Sequence, residues 1–260
     1  MTTTAATPDT ATDIKTTLAA AFSMPAISPM IPPPPYRYKD TKALNVLFRT
    51  DRQILPKLVP APLVPNPDQP LVFYIGHFQF ADFDLPYNEA GLLVPVTCGG
   101  ESGLFAVVLY LDKANPIVGG REIYGWPKKE ADEIRFVQKS GKVSAVVTRY
   151  GQRIISADFE VQEKVTAIAD RPKTPLYFLK LIPSIEKDAP PDVLKVNSML
   201  IDPDVIKQLE IGRATLSFGT SPYDSFLSKI PIREVQYAEV IVHDFTLGFG
   251  KTVFNYLAER

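Results

Sequence analysis

The sequence contains few of the residues from which metal sites and nucleophilic triads are built. Among its 260 residues there is one cysteine, Cys98, and there are two histidines, His77 and His243. A single cysteine excludes a disulfide within this chain and a cysteine metal cluster. Each histidine stands in an apolar stretch without a second ligand nearby, which argues against a zinc site or a Ser-His-Asp triad. We therefore expect no metal and predict structural roles for both histidines.

The sequence also lacks an excess of charge and a long apolar run. Its 28 basic and 29 acidic residues nearly cancel, whereas binding to nucleic acid or to a membrane surface requires a basic field. No apolar stretch approaches the roughly 18 residues that span a bilayer. The segment 1–24 carries Asp9 and Asp13 but only one base, Lys15, unlike a signal or transit peptide. These absences predict a cytoplasmic protein that binds neither nucleic acid nor membrane.

Most of the chain after residue 70 consists of short segments rich in Val, Ile, Phe and Tyr, divided by Gly, Pro, Asp and Ser. This pattern predicts strands. The ten predicted strands are Leu71–Phe80, Leu92–Thr97, Leu104–Leu111, Glu133–Gln138, Val143–Arg149, Ile154–Gln162, Tyr177–Ile182, Val193–Ile201, Ala214–Phe218 and Val235–Phe245. Because few helices separate them and long open sheets leave exposed edges, we predict a predominantly antiparallel sheet that is closed or nearly closed.

Helices are predicted only at a few places. One begins near Thr50, with Gln53 in capping-box spacing, and another covers Lys251 to Glu259. Residues 8–22 have apolar side chains at helical spacing, and the prolines from Pro25 to Pro35 then force an extended segment. We therefore divide the chain into an N-terminal arm, residues 1–35, and a single domain, residues 36–260.

One stretch combines glycines, aromatic residues and a lysine pair. Residues 117–130 read Ile-Val-Gly-Gly-Arg-Glu-Ile-Tyr-Gly-Trp-Pro-Lys-Lys-Glu. Most Lys-Lys pairs are solvated turns, but here Tyr124 and Trp126 place large apolar surface directly before Lys128 and Lys129. A lysine in such surroundings can lose its proton and attack ketones. Successive side chains of an extended segment point to opposite faces, so we expect burial rather than repulsion from Lys129 to favour the uncharged amine at Lys128.

Five segments, matched in order and approximate spacing from about Tyr36 to Leu257, resemble the acetoacetate decarboxylase family. The segments are Phe48-Arg49-Thr50-Asp51, Asn88-Glu89-Ala90-Gly91, Tyr110-Leu111-Asp112, Gly120-Arg121-Glu122 and Trp126-Pro127-Lys128-Lys129. The resemblance implies a cone-like antiparallel β fold with a few short helices, a homo-oligomer and no cofactor. It also implies a lyase that converts acetoacetate, a 3-oxo acid, to acetone and CO2 through a lysine Schiff base.

The resemblance also assigns roles to individual residues. It makes Lys128 the Schiff-base lysine and Lys129 its cationic neighbour, and it matches Arg49 and Glu89 to an active-site arginine and glutamate. We expect Arg49 to orient the substrate carboxylate and Trp126 to contact the substrate. Glu89 is expected to position the substrate or to destabilise its carboxylate by like-charge proximity.

The chain departs from the family pattern at two places. The lysine pair usually follows a tyrosine, where this chain has Trp126. The family has a further pocket acid on the strand matching Leu71–Phe80, where this chain has no acid and offers His77 and Gln79 as polar groups. The resemblance therefore does not fix the proton inventory of the pocket or the exact 3-oxo acid. Arg121 and Glu122 are predicted to form a structural ion pair that supports the lysine loop.

Two other functions fit parts of the sequence. One is a Schiff-base aldolase-dehydratase of the same scaffold, acting on pyruvate and aldehydes; Glu89 argues for decarboxylation because that position is expected to differ in the aldolase group. The other is a non-catalytic β-barrel that binds small apolar ligands. It accounts for the aromatic strands but not for the lysine pair behind Trp126 and Pro127.

Overall fold

The computed structural model describes residues 21–82, 86–169, 171 and 173–258. Within these residues, fifteen strands form one sheet. The strands are β1 Tyr36–Arg49, β2 Val64–Pro65, β3 Leu71–Phe78, β4 Phe80–Ala81, β5 Tyr87–Cys98, β6 Glu101–Leu111, β7 Lys128–Glu130, β8 Glu133–Lys139, β9 Lys142–Arg149, β10 Gln152–Lys164, β11 Pro175–Ile182, β12 Val193–Leu200, β13 Asp202–Phe218, β14 Glu234–Leu247 and β15 Lys251–Asn255. Helical structure is confined to short segments at Arg52–Ile54, Leu55–Leu58, Ala114–Gly119, Gly120–Tyr124 and Leu227–Lys229 in the described part of the chain.

The sheet has the order β15-β12-β11-β6-β5-β3-β1-β14-β13-β10-β9-β8, with β2 on β5, β4 on β1 and β7 on β6. Strand β6 pairs in parallel with β7 and β11, and the other described pairings are antiparallel. The predicted antiparallel class is therefore confirmed. The order has two ends, β15 and β8, so the sheet is not a closed barrel. It curls back on itself, since the Asn88 side-chain amide of β5 donates to the Ile134 carbonyl of β8 at 3.0 Å.

All ten predicted strands are present, and most are longer than predicted. Strand β1 was not predicted, because its charged residues Lys39, Asp40 and Lys42 interrupt the apolar pattern. The helix predicted at Lys251–Glu259 is wrong. Residues Lys251–Asn255 form β15 along the edge of β12, where pairing with an available strand overrides a short helical pattern.

The helix predicted near Thr50 is shorter than expected. It consists of a 3-10 turn at Arg52–Ile54 and one α-turn at Leu55–Leu58, and no side chain caps either of them. Most of the helix predicted at residues 8–22 lies outside the described residues. No helix among those described is long and apolar enough to cross a membrane.

The described part of the proline-rich arm packs against the domain. Its residues form turns and bends, and Ile31 is fully buried among Tyr36 and Trp126. The Ser23 hydroxyl donates to the Ile31 carbonyl at 3.2 Å, and the Met24 amide donates to Glu122 at 3.0 Å. The arm therefore covers the loop that precedes the lysine pair.

Candidate active site

The loop before the lysine pair ends in a tight helical turn. Residues Gly120–Tyr124 form a π-helical turn, and Gly125 follows it with a φ of 91°, a left-handed value that favours glycine. The amides of Gly125 and Trp126 both donate to the Gly120 carbonyl at 2.9 Å. The Trp126 ring then stacks on Phe178, with centroids 4.4 Å apart. This turn directs the chain into β7, which begins at Lys128.

A missing side chain makes room for Lys128. A β-carbon on Gly120 would lie 2.5 Å from Cδ of Lys128 and 2.6 Å from its Cε, so any side chain at position 120 would displace the lysine stem from this path. The Arg121 guanidinium donates to the Lys128 carbonyl at 3.0 Å, which holds the backbone of the same residue. The predicted ion pair between Arg121 and Glu122 is absent from the described contacts, but Arg121 does support the lysine loop.

Lys128 points into the interior and meets Glu89. Its Nζ lies 3.0 Å from Oε2 of Glu89, and the two side chains are 10% and 7% exposed. This oxygen accepts no aligned hydrogen bond from a described residue, so the contact is ionic. The other oxygen, Oε1, accepts a short hydrogen bond from the Tyr74 hydroxyl. Lys128, Glu89 and Tyr74 thus form a continuous buried chain of polar groups.

Tyr74 reaches this chain from β3 because its neighbour on β5 is a glycine. Tyr74 pairs with Gly91, and Gly91 pairs with Leu109, which pairs with Lys128. A β-carbon on Gly91 would lie 2.5 Å from the Tyr74 ring, so the ring lies across the glycine. Burial, together with the charge of Glu89, raises the pKa of Tyr74 well above its usual value. Its hydroxyl therefore stays protonated at neutral pH.

Two further tyrosines line the cavity into which Lys128 points. The Tyr87 hydroxyl donates to that of Tyr38 at 3.3 Å. Burial, followed by the nearby Tyr38 and Glu89, raises the pKa of Tyr87 well above its usual value. Both side chains line the cavity that holds Lys128, and both add neutral hydrogen-bonding groups to its wall.

Lys129 lies on the opposite face of β7. Its Nζ is 3.3 Å from Oδ2 of Asp224 and 5.6 Å from the centroid of the Phe226 ring. The same Asp224 oxygen is 3.1 Å from Nε of Arg149, and Oδ1 accepts from the Tyr110 hydroxyl at 3.0 Å. The structure therefore separates the two lysines, as the strand period predicts.

Arg49 also lies away from Lys128. Its Nε donates to the Gln236 side chain at 2.9 Å, and it is not among the residues that line the cavity. The arginine that does line the cavity is Arg171. Its two terminal nitrogens each lie 2.6 Å from an oxygen of Glu239, and Asn45 also donates to Glu239 at 2.9 Å.

The cavity has a volume of about 550 Å³. Its polar end consists of Lys128, Glu89 and Tyr74, and its other walls are mostly apolar side chains from strands β1, β3, β5, β6, β11 and β14. Trp126, which we expected to contact the substrate, lies just before β7 and also lines the cavity. Burial would raise the pKa of Glu239 on the far wall, but hydrogen bonds from Arg171 and Asn45 lower it overall.

The two histidines have different roles. His77 forms a 2.8 Å hydrogen bond through Nδ1 with the Asn88 side chain, so its predicted structural role is confirmed. His243 lines the cavity, and its Nδ1 has no hydrogen-bond partner among the described residues, which corrects the prediction of a satisfied histidine. Burial lowers the pKa of His243 to about 4. No group of three or more His, Cys, Asp and Glu side chains in the described ranges could hold a metal ion.

Comparison with known proteins shows the family of this chain. The model of the family described as acetoacetate decarboxylase matches residues 23–257. An acetoacetate decarboxylase from Paraburkholderia xenovorans is 32% identical over 258 residues, covering 95% of this chain and 97% of that protein. The chain belongs to the acetoacetate decarboxylase family. It is accordingly an enzyme of the carboxy-lyase class.

Solved structures of the family share the fold. The acetoacetate decarboxylase from Legionella pneumophila superposes with a TM-score of 0.80 at 26% identity, over 91% of this chain and 94% of that one. The enduracididine biosynthesis enzyme MppR, solved with pyruvate bound, superposes with a TM-score of 0.77 at 19% identity, over 91% and 98% of the two chains. The second likeness shows the fold alone.

Proposed function

We propose that this enzyme decarboxylates 3-oxo acids through a Schiff base on Lys128. Acetoacetate is the simplest 3-oxo acid whose oxo group is a ketone. The observation that carries the proposal is the buried contact between Lys128 and Glu89 inside a large cavity. A lysine whose only close charged neighbour in the described cavity is a carboxylate has an acceptor for the proton that it must lose before it attacks a ketone.

The steps follow from these groups. Lys128 transfers a proton to Glu89, and its nitrogen adds to the substrate ketone. Glu89 returns this proton as water leaves, which gives a protonated imine and an ionised Glu89. The C–C bond to the carboxylate then breaks, CO2 leaves, and the electron pair forms an enamine with the imine carbon. A proton that Glu89 takes up from solvent, and passes on directly or through Tyr74, reaches the enamine carbon. Water then hydrolyses the resulting protonated imine to release the ketone and free Lys128.

The apolar walls favour the bond-breaking step. A carboxylate that enters these apolar surroundings loses its hydration, which is unfavourable. Conversion to neutral CO2 removes this cost. A strong cation facing the carboxylate would oppose this change. Arg49, which we expected to orient the carboxylate, lies outside the cavity, and Arg171 is already matched by Glu239. The proposal therefore assigns neither arginine to the carboxylate.

Lys129 has a different role in this proposal. Its charge is compensated by Asp224 on the opposite face of β7, so we assign it to anchoring that strand rather than to the chemistry. The division into an arm and a domain at residue 36, and a homo-oligomeric assembly, belong to the same proposal. Exposed apolar side chains such as Ile27 and Phe249 support an assembly, and sedimentation equilibrium tests it.

Incubation with acetoacetate tests the reaction. We expect stoichiometric release of CO2 and acetone, and a loss of about 100-fold or more in kcat for Glu89→Gln, a typical effect of removing a general base. Glu130→Gln is the matched control, because Glu130 lies two residues from Lys128 but is exposed. Condensation of pyruvate with an aldehyde at a good rate, without acetone from acetoacetate, would instead support the aldolase-dehydratase reaction.

A further inference from the structure

The cavity is much larger than acetoacetate. Its volume of about 550 Å³ lies within the range of sites that enclose drug-sized ligands, roughly 300 to 1,000 Å³. Acetoacetate has about seven non-hydrogen atoms. If each takes about two thirds of the ~30 Å³ of a liquid water molecule, acetoacetate fills roughly a quarter of the cavity. The rest of the space is available to a larger substrate.

The free space extends from Glu89 toward β14 because the residues between them are small. Glu89 pairs with Gly76, Gly76 pairs with Ala43, and Ala43 pairs with Ile241. Three strand spacings of about 4.8 Å separate the two ends of this row. A glycine and an alanine in its middle leave the cavity floor open between the polar end and Ile241.

The walls of this space are apolar. Phe78, Leu104, Leu176 and Phe245 line the cavity together with Ile241. Aliphatic and aromatic walls favour an apolar occupant, and each methylene that leaves water for such a site can improve binding by up to about fourfold. A substrate with only a methyl group on its ketone is too small to contact these walls.

The far wall also carries no uncompensated charge among its described residues. Arg171 is matched by Glu239 through two contacts of 2.6 Å. His243 is neutral at pH 7 because burial lowers its pKa to about 4. Such a wall gives no advantage to an anionic or a cationic group.

We infer that the substrate of this enzyme is a 3-oxo acid whose ketone carries a bulky, uncharged and mainly apolar group in place of the methyl group of acetoacetate. This inference rests on the proposed function for the fate of the carboxylate. It assigns the Lys128 end of the cavity to the reacting 3-oxo acid and the space toward Ile241 to the apolar group.

A substrate series tests the inference. We expect kcat/KM for 3-oxooctanoate and 3-oxo-5-phenylpentanoate to exceed that for acetoacetate by tenfold or more, mainly through a lower KM. The dianion 3-oxooctanedioate, which has a charged end, should show no such gain. Equal or higher kcat/KM for acetoacetate than for 3-oxooctanoate would overturn the inference.

Two substitutions locate the effect in the cavity. Ile241→Trp fills the far space and should lower the kcat/KM ratio of 3-oxooctanoate to acetoacetate by tenfold or more. Ile185→Trp is the matched control, because Ile185 is 99% exposed, and it should leave the ratio unchanged. A folded Ile241→Trp variant with the wild-type ratio would contradict the assignment of this space.

Ketone trapping separates this inference from the proposed function, because it requires no decarboxylation. Borohydride should trap 2-heptanone on the wild-type enzyme at a tenfold or more lower concentration than acetone. If this holds while no 3-oxo acid releases CO2, the proposed function is wrong and the size inference stands. If acetone is trapped as readily as 2-heptanone, the size inference is wrong whatever the turnover.

Discussion

The two adjacent lysines end in different surroundings because they lie on a strand. Lys128 meets Glu89 inside the cavity, and Lys129 meets Asp224 on the other face. Asp224 therefore balances the charge of Lys129. Because the two lysines also lie on opposite faces of the strand, Lys129 repels the Lys128 ammonium group only weakly. The proposed mechanism therefore relies on proton exchange with Glu89, and not on repulsion from Lys129, to give an uncharged amine at Lys128.

Tyr74 offers a hydroxyl group that can donate a proton, on the strand where the family pattern has an acid. Tyr74→Phe keeps the ring but removes the hydroxyl that donates to Glu89, so we expect kcat to fall roughly tenfold or more. Tyr110→Phe is the matched control, because Tyr110 is a buried tyrosine that donates to a carboxylate on the opposite face. Both variants should lose about 1 to 3 kcal/mol of unfolding free energy. Equal losses of kcat in the two variants would contradict a role for Tyr74 in proton transfer.

The sequence could predict part of this site and not the rest. Lys128, Glu89 and Trp126 could be predicted because the segments around them match the family pattern, and the structure brings the three to one cavity. The signal for Tyr74 was present, since it lies on the strand that lacks the acid, but a tyrosine among Phe and Ile side chains is typical of a core. Arg171 and Glu239 are 68 residues apart, and no local pattern joins them.

At the scale of elements, the candidate site depends on glycines at two close approaches. Gly120 leaves room for the Lys128 stem, and Gly91 leaves room for the Tyr74 ring. Both glycines are visible in the sequence, and glycine permits close backbone approach. The sequence does not show which atoms approach them, because that depends on how the loop turns and how the strands pair in the folded protein.

Gly120→Ala tests the first close approach. The added methyl group would displace the Lys128 side chain, so we expect trapping of acetone on Lys128 to fall tenfold or more, with a loss of about 1 to 3 kcal/mol in unfolding free energy. Gly248→Ala is the matched control, since a β-carbon there has no neighbour within 4 Å. Unchanged trapping in Gly120→Ala would show that the lysine has more freedom than the structure gives it.

Strand prediction from sequence missed one central strand, β1, and one edge strand, β15. In β1 the charged residues Lys39, Asp40 and Lys42 interrupt the apolar pattern, although the strand also carries buried core residues. Strand β15 forms only because β12 offers an edge. Such pairing is a property of the folded molecule and leaves little trace in a short segment.

At the scale of the whole molecule, the large cavity inside the curved sheet affects stability through pH. The pKa of His243 is lowered from 6.5 to about 4 by burial, so the unfolded chain binds a proton that the folded protein does not. Stability from this residue is complete above about pH 6.5 and is lost as the pH falls toward 4. The full difference corresponds to about 3 kcal/mol.

Denaturant unfolding at several pH values measures this contribution. The unfolding free energy of the wild type should decrease between pH 6.5 and 4 more steeply than that of His243→Leu, whose side chain does not titrate. Glu239 has a lowered pKa and contributes to both proteins alike. Parallel pH dependences for the two proteins would contradict the burial of a neutral His243.

The central claim is that Lys128 forms the Schiff base, and borohydride reduction in the presence of acetone tests it most directly. We expect loss of activity and a mass increase of one isopropyl group on Lys128, located by peptide mass spectrometry. Lys128→Ala should abolish the adduct, while Lys129→Ala should retain it. An adduct on Lys129, or none on a folded and active wild-type enzyme, would contradict the account.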